Sequence, residues 1–309
     1  MTLSSADPTV AAAPIPILSG IGAIADRYDG FVIDLWGVLY DGVKPFPGVI
    51  ETLDRLRARG KRVLLLTNAP RRALLIVRRL ERAGLPHAHY DDLISSGEAA
   101  FEALQQRAAP WAQGLGRRIF FAGSARDPDV VNGLGLIETQ NVDEADFLYS
   151  VGVDSVDESL DRYRDVLARA AARRLVFVCA NPDLAVIHDG QRGMCAGTLA
   201  AHYETLGGAV HYFGKPYPAV YEAAFARLGL KDRGQVVAVG DSLRTDIAGA
   251  RAFGFDALLV LGGMHREELG LGVDARPGPA ELGRLCARFG QRPTAAVPAF
   301  RWSANSSGQ

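Results

Sequence analysis

Phe31-Val32-Ile33-Asp34-Leu35-Trp36-Gly37-Val38-Leu39-Tyr40 is the stretch that decides the fold. Its apolar, β-branched start reads as a buried strand, and the strand breaks at a carboxylate. A second run, Val236-Val237-Ala238-Val239-Gly240-Asp241-Ser242-Leu243-Arg244-Thr245-Asp246, breaks the same way. Buried strands that end in carboxylates place charge in the crevice at the carboxyl edge of an α/β sheet, where such folds bind ligands. An isolated buried Asp is costly unless paired or metal-bound. Two of them, about 200 residues apart in sequence, point to an assembled metal site.

Around these runs, strand-like and helical stretches alternate, the βαβ signature of a parallel sheet. Phe31–Leu35, Arg62–Leu66, Arg118–Phe121, Phe147–Val151, Leu175–Cys179, Val210–Phe213 and Val236–Val239 read as strands. Helices are expected over Val49–Arg59, Arg71–Ala83, Glu158–Ala172 and Pro218–Leu228, with Gly60 and Gly84 as stops. The 309 residues suit about two domains. The division expected is a discontinuous core, 1–92 plus 207–309, with an inserted unit, 93–206. Val210–Phe213 and Val236–Val239 are read as resuming the first unit.

Hydrophobic residues make up 48% of the chain, and no stretch approaches the ~18 uninterrupted apolar residues of a membrane span. The net charge of −1 argues against a nucleic-acid binder working by bulk charge, so any anion recognition is local. Cys179, Cys195 and Cys286 fit neither a disulfide framework nor a zinc cluster; they suit a reducing cytoplasm as small buried residues. Met1–Pro16, rich in Ala, Ser and Pro, lacks the basic start of a signal peptide. It and Ser303–Gln309 are read as loose ends.

The strand ends offer a consistent chemistry. Asp34 can attack phosphorus. Thr67 supplies a hydroxyl and Asn68 a backbone N–H for an anion. Lys215 brings a point charge for phosphoryl oxygens, and Asp241 a hard oxygen ligand that suits Mg²⁺. Asp246 opens the helix Ile247–Phe253 and can orient the surroundings of Asp241.

Asp34-Leu35-Trp36-Gly37-Val38, Leu66-Thr67-Asn68, Gly214-Lys215-Pro216 and Gly240-Asp241-Ser242-Leu243-Arg244-Thr245-Asp246 together resemble the haloacid dehalogenase (HAD) superfamily, in the family's order. The inserted unit, with Ala180-Asn181-Pro182-Asp183, resembles the cap of class IIA, the p-nitrophenyl-phosphatase-like and sugar-phosphatase-like group. The resemblance implies an α/β fold: a doubly wound, mainly parallel sheet with an inserted α/β cap. It also implies Mg²⁺-dependent hydrolysis of a small phosphorylated metabolite through an aspartyl-phosphate, and association of copies through the cap. By position, Asp34 would be nucleophile and metal ligand, Trp36 would give its backbone carbonyl to Mg²⁺, and Asp241 would ligate it directly. Asp246 would support Asp241. Thr67 and Asn68 would hold the phosphate, and Lys215 would bridge it to the nucleophile.

One position departs from the pattern. Most family phosphatases carry a second Asp, the general acid, where this chain has Trp36. Acid catalysis is typically worth about 10²–10⁴-fold, so good leaving groups suffer least. This departure keeps a weak or silent phosphometabolite-binding protein as the alternative, with a carbon-attacking hydrolase behind it. Asp41 is the nearest substitute acid, or else the maker of the following turn. Asn181 and Asp183 either touch substrate or form an Asx-type turn. Arg71 and Arg72 either add positive potential or cover a solvated helix face. His87 and His89 are read as structural, and His188 is a candidate to face substrate.

Overall fold

The computed structural model describes residues 13–124, 128–155, 157–188, 191–272 and 275–303. Thirteen strands are found among them: β1 Gly30–Ile33, β2 Arg62–Thr67, β3 Asp92–Ser95, β4 Arg118–Phe121, β5 Ile137–Glu138, β6 Phe147–Ser150, β7 Val176–Cys179, β8 Ala185–His188, β9 Gln191–Met194, β10 Ala209–Tyr212, β11 Val236–Gly240, β12 Asp256–Val260 and β13 Ala295–Val297. The helices are α1 Val49–Ala58, α2 Ala73–Arg82, α3 Ser96–Gln106, α4 Pro110–Gln113, α5 Arg164–Ala172, α6 Ala196–Thr205, α7 Pro218–Leu228, α8 Ala248–Phe253 and α9 Pro279–Arg288.

Six strands form a wholly parallel sheet in the order β13-β12-β11-β1-β2-β3. Its residues alternate between two cores, as the period of two requires. Phe31, Ile33, Val63, Leu65 and Val239 pack with Leu53 and Leu56 of α1 and Leu80 of α2. Val32, Leu64, Leu66 and Ala238 pack with Tyr221 of α7, Phe253 of α8 and Leu282 of α9. Each fully buried Leu contributes roughly 1.5–3 kcal/mol, so the two cores together hold β1 and β11 at the centre. The chain runs from β1 to β2 and β3 in one direction and from β11 to β12 and β13 in the other. The crevice at the carboxyl ends of β1 and β11 therefore lies where the winding reverses.

A second parallel sheet, β10-β7-β6-β4-β5, is covered by α5 and α6 on one face and partly by α3 on the other. The antiparallel hairpin β8–β9 follows Asn181-Pro182-Asp183. Two sequence expectations are corrected here. Val210–Phe213 does not resume the first sheet: β10 pairs with β7 as an edge of the second. The start of the chain is not loose throughout, because Ile15 is buried and Pro16 and Ile17 pair with Ala296 at the edge of the first sheet. Met1–Ala12, Ala304–Gln309 and the side chain of His188 lie outside the described residues. The expected boundary between residues 92 and 93 falls inside β3, which pairs with β2 in the first sheet.

Candidate active site

Asp34 stands just past the end of β1, and its N–H still bonds to Val239 of β11 at 2.9 Å. Asp241 follows β11, and Asp246 lies one turn on, in the π-helical turn Leu243–Ile247. Carboxylate oxygens of the three lie within 4.8 Å of one another, and all three residues are buried. Lys215, from the segment before α7, sets its ammonium between two of them, 2.6 Å from Asp34 Oδ1 and 2.7 Å from Asp246 Oδ1.

The electrostatics follow from crowding. Burial pushes the Asp34 carboxyl up to about 7; Lys215 opposes this and Asp246 adds to it. Burial, with Asp34 and Asp246 nearby, holds Asp241 well above the usual carboxylate range. Burial alone would lower Lys215, but Asp246 and Asp34 outweigh it and raise the ammonium instead. One lysine can neutralise only one of three buried carboxylates, so the site favours a further cation or bound protons. A hard, all-oxygen donor set of this kind suits Mg²⁺. Asp246 also accepts the Ser242 N–H at 3.2 Å.

Asp241 is aimed by its surroundings. Met264 N–H donates to its Oδ2 at 2.8 Å. Two glycines let the backbone close on it: a Cβ at Gly37 (φ 74°) would fall 1.9 Å from Oδ2, and one at Gly263 would fall 2.2 Å from the same atom.

Thr67 is buried at the end of β2, and its Oγ1 accepts the Ala69 N–H at 3.2 Å. The Asn68 carboxamide is fully engaged. Its Oδ1 accepts Lys215 N–H at 2.7 Å, and its Nδ2 donates to Lys215 O at 3.0 Å and to Asp183 Oδ1 at 2.9 Å. Asn68 thus clamps the backbone that carries Lys215 and ties it to the second unit. Asn181 Oδ1 accepts the Asp183 N–H at 3.1 Å, which is the Asx-type turn. Arg244 completes the junction, 3.3 Å from Pro182 O and 3.7 Å from Asp183.

Trp36 is 45% exposed, with its ring edge-on to Tyr40 at 5.2 Å and near the Arg79 guanidinium. It offers no acid at that position. Asp41 is not the substitute: it is exposed and accepts the Val43 and Lys44 N–H groups, which lower its pKa. Arg72 is a strut, forked onto Glu98 at 2.9 Å and stacked on Phe101. Arg71 lines a small cavity beside Trp36. His89 pairs with Asp54, and His87 packs its ring at a tilt against Tyr90, so neither contacts the carboxylate cluster in these pairs. The three cysteines are free and buried. His265 escaped the sequence reading: nothing in its spacing shows that it packs against the Asp241–Asp246 turn.

The sequence model of the haloacid dehalogenase-like hydrolases matches residues 31–137, and a related HAD-hydrolase-like model matches 212–280. Human chronophin is 30% identical over 259 residues, covering 79% of this chain and 85% of its own. The chain belongs to the haloacid dehalogenase-like hydrolases. A solved hydrolase of this family from Brucella suis 1330 superposes with a TM-score of 0.75 at 32% identity, covering 92% of this chain and 99% of that one. D-glycerol 3-phosphate phosphatase of Mycobacterium tuberculosis is 28% identical over 79% of this chain, which spans 65% of that protein's length. A glycerol phosphate phosphatase from the same organism, solved in complex with magnesium, matches at 26% identity with a TM-score of 0.64, covering 92% of this chain and 79% of that one. The 4-nitrophenylphosphatase of Schizosaccharomyces pombe is 26% identical over 272 residues, covering 81% of this chain and 89% of its own. No helix among the described residues is long and apolar enough to cross a membrane.

Proposed function

We propose that this chain is a Mg²⁺-dependent phosphatase of small phosphorylated metabolites, with Asp34 as its nucleophile. The observation that carries the reading is the buried Asp34–Asp241–Asp246 cluster, only partly neutralised by Lys215, at the reversal point of the parallel sheet. The relatives named as phosphatases support it. Mg²⁺ held by Asp34, Asp241 and the Trp36 backbone carbonyl would neutralise charge and so let an anionic carboxylate approach an anionic ester.

The chain's own residues then act in order. Lys215 fixes the Asp34 carboxylate through Oδ1 and holds phosphoryl oxygens of the substrate. Thr67 Oγ1 and the Asn68 backbone N–H take the remaining oxygens. An Asp34 oxygen forms the bond to phosphorus as the ester P–O bond breaks, giving an aspartyl-phosphate and an alkoxide or phenolate. Water then attacks phosphorus, releasing phosphate and restoring Asp34. Asp246 keeps Lys215 charged and oriented throughout. The unit carrying β4–β10 serves as the cap, touching the catalytic edge through Asn181-Pro182-Asp183. Closing that edge excludes water and selects the leaving group.

Trp36 favours good leaving groups, because it cannot supply a proton. A phosphometabolite panel with purified protein, with and without Mg²⁺, tests the proposal. Turnover confined to Mg²⁺, strongest on aryl or acyl phosphates, is expected. Binding without turnover would establish the silent phosphate-binding alternative, and Mg²⁺-independent turnover would overturn the metal assignment.

A further inference from the structure

His265 is almost fully buried, yet it belongs to none of the four motifs. Its Nε2 accepts the Leu243 N–H at 3.2 Å, and its Nδ1 lies 2.9 Å from Glu268 Oε2. These bonds require one neutral tautomer, with the proton on Nδ1 donated to Glu268 and Nε2 left as acceptor. Glu268 is held in turn by Arg288, and the imidazole edge rests on Phe289 at 5.0 Å. Leu243 opens the turn that joins Asp241 to Asp246. The preceding N–H, that of Ser242, is taken by Asp246, so the two consecutive donors after Asp241 are both held by side chains. The residue before His265, Met264, donates its N–H to Asp241 Oδ2. One short segment, Met264-His265, therefore grips both the carboxylate and the backbone that follows it.

We propose that His265 is a positioning residue for the metal site: its Nε2 holds the Leu243 N–H and thereby keeps Asp241 turned toward Asp34. The proposal rests on the Mg²⁺ reading above. It involves no proton transfer, only an acceptor at one point of the turn. Partners of this kind, which orient a ligand from behind, are typically worth about 10–100-fold in metal affinity or activity.

The test is calorimetric titration of the folded, substrate-free protein with Mg²⁺ alone, together with the Mg²⁺-induced rise in melting temperature. His265→Phe keeps the ring's bulk against Phe289 but removes the acceptor, and is expected to weaken Mg²⁺ binding about 10-fold or more. His265→Gln places an amide oxygen near the Nε2 position and is expected to recover most of that loss. Glu268→Ala, at a part-exposed position, frees the tautomer without emptying the core and is expected to give a smaller loss of the same sign. Wild-type Mg²⁺ affinity in folded His265→Phe overturns the proposal. So does equal loss in the Phe and Gln variants, which would mean packing alone. If His265→Phe does not fold, unchanged affinity in Glu268→Ala overturns it instead. Failure of wild type to bind Mg²⁺ would bring down the function proposed above as well, so the two failures are distinguishable.

Discussion

At the residue scale, Asp34 and Trp36 divide the chemistry between them. Asp34→Asn removes the proposed nucleophile and one buried carboxylate while keeping shape. Its turnover is expected to be abolished, with substrate or product binding retained or tightened; calorimetric phosphate titration and a steady-state assay check both halves. Trp36 makes the opposite kind of prediction. With no acid at that position, kcat/KM should fall steeply as leaving-group pKa rises. Because the Trp36 ring is half-exposed on Tyr40, a carboxylate there stays solvated, so Trp36→Asp is expected to fold normally. It should raise alkyl-phosphate turnover about 10-fold or more, the low end of acid catalysis. A flat leaving-group series in the wild type would mean that another group already donates the proton.

The Asp34 carboxyl also sets a pH dependence. Its folded value of about 7 lies above the ordinary 3.8, so its contribution to stability is full below the ordinary value and is lost as pH rises through the folded one. The metal-free protein should therefore lose melting temperature as pH rises from about 4 to about 7 and level off above that, and saturating Mg²⁺ should reduce the loss. Mg²⁺ binds the ionised form, so its apparent affinity should weaken up to about tenfold per pH unit for each proton displaced below neutrality. A pH-independent affinity would show that the carboxylates are already ionised in the free protein.

At the scale of elements, the junction Asn68–Asp183–Arg244 joins the end of β2 and the Asp241–Asp246 turn to the loop before β8. Burial raises the Asp183 carboxyl despite its bond to Asn68. Asp183→Ala removes one acceptor from a carboxamide that also clamps Lys215. A cost of about 1 kcal/mol is expected, seen as a drop of roughly 2–4 °C in melting temperature. Asp183→Asn, which can still accept from Asn68, should recover most of it. A melting curve for each variant decides this.

The elements also show what the sequence could and could not display. Asp34, Thr67 and Asp241 were legible because each stands at or just past the end of an apolar strand, and the strand ends of one parallel sheet converge at one edge; Lys215 was legible from its place inside Gly214-Lys215-Pro216. The clamp made by the Asn68 side chain was not, because its partners are a backbone 147 residues away and a carboxylate 115 away. His265 was hidden for the same reason: its partner is the backbone N–H of Leu243, which leaves no mark in side-chain spacing. Val210–Phe213 reads as a strand in either sheet, since composition reports burial and not which neighbour it pairs with. The three-residue β13 and the pairing of Ile17 with Ala296 are too short for periodicity to register.

At the scale of the whole molecule, two parallel sheets share one junction. The first brings Asp34 and Asp241 together at its reversal point; the second sets a loop against them. Burial of the carboxylates, the interposed Lys215 and the backbone grips on Asp241 form the arrangement on which the proposed binding of a cation and a phosphate rests. The central claim is that the phosphoryl group passes through Asp34. The most direct measurement is rapid acid quench of the Mg²⁺-loaded protein during turnover of p-nitrophenyl phosphate, followed by intact-mass and peptide mass spectrometry. One covalent phosphoryl group is predicted, on the peptide containing Asp34 and absent from Asp34→Asn. Sustained Mg²⁺-dependent turnover by a verified Asp34→Asn protein, or a phosphoryl group trapped on another residue, would contradict the account.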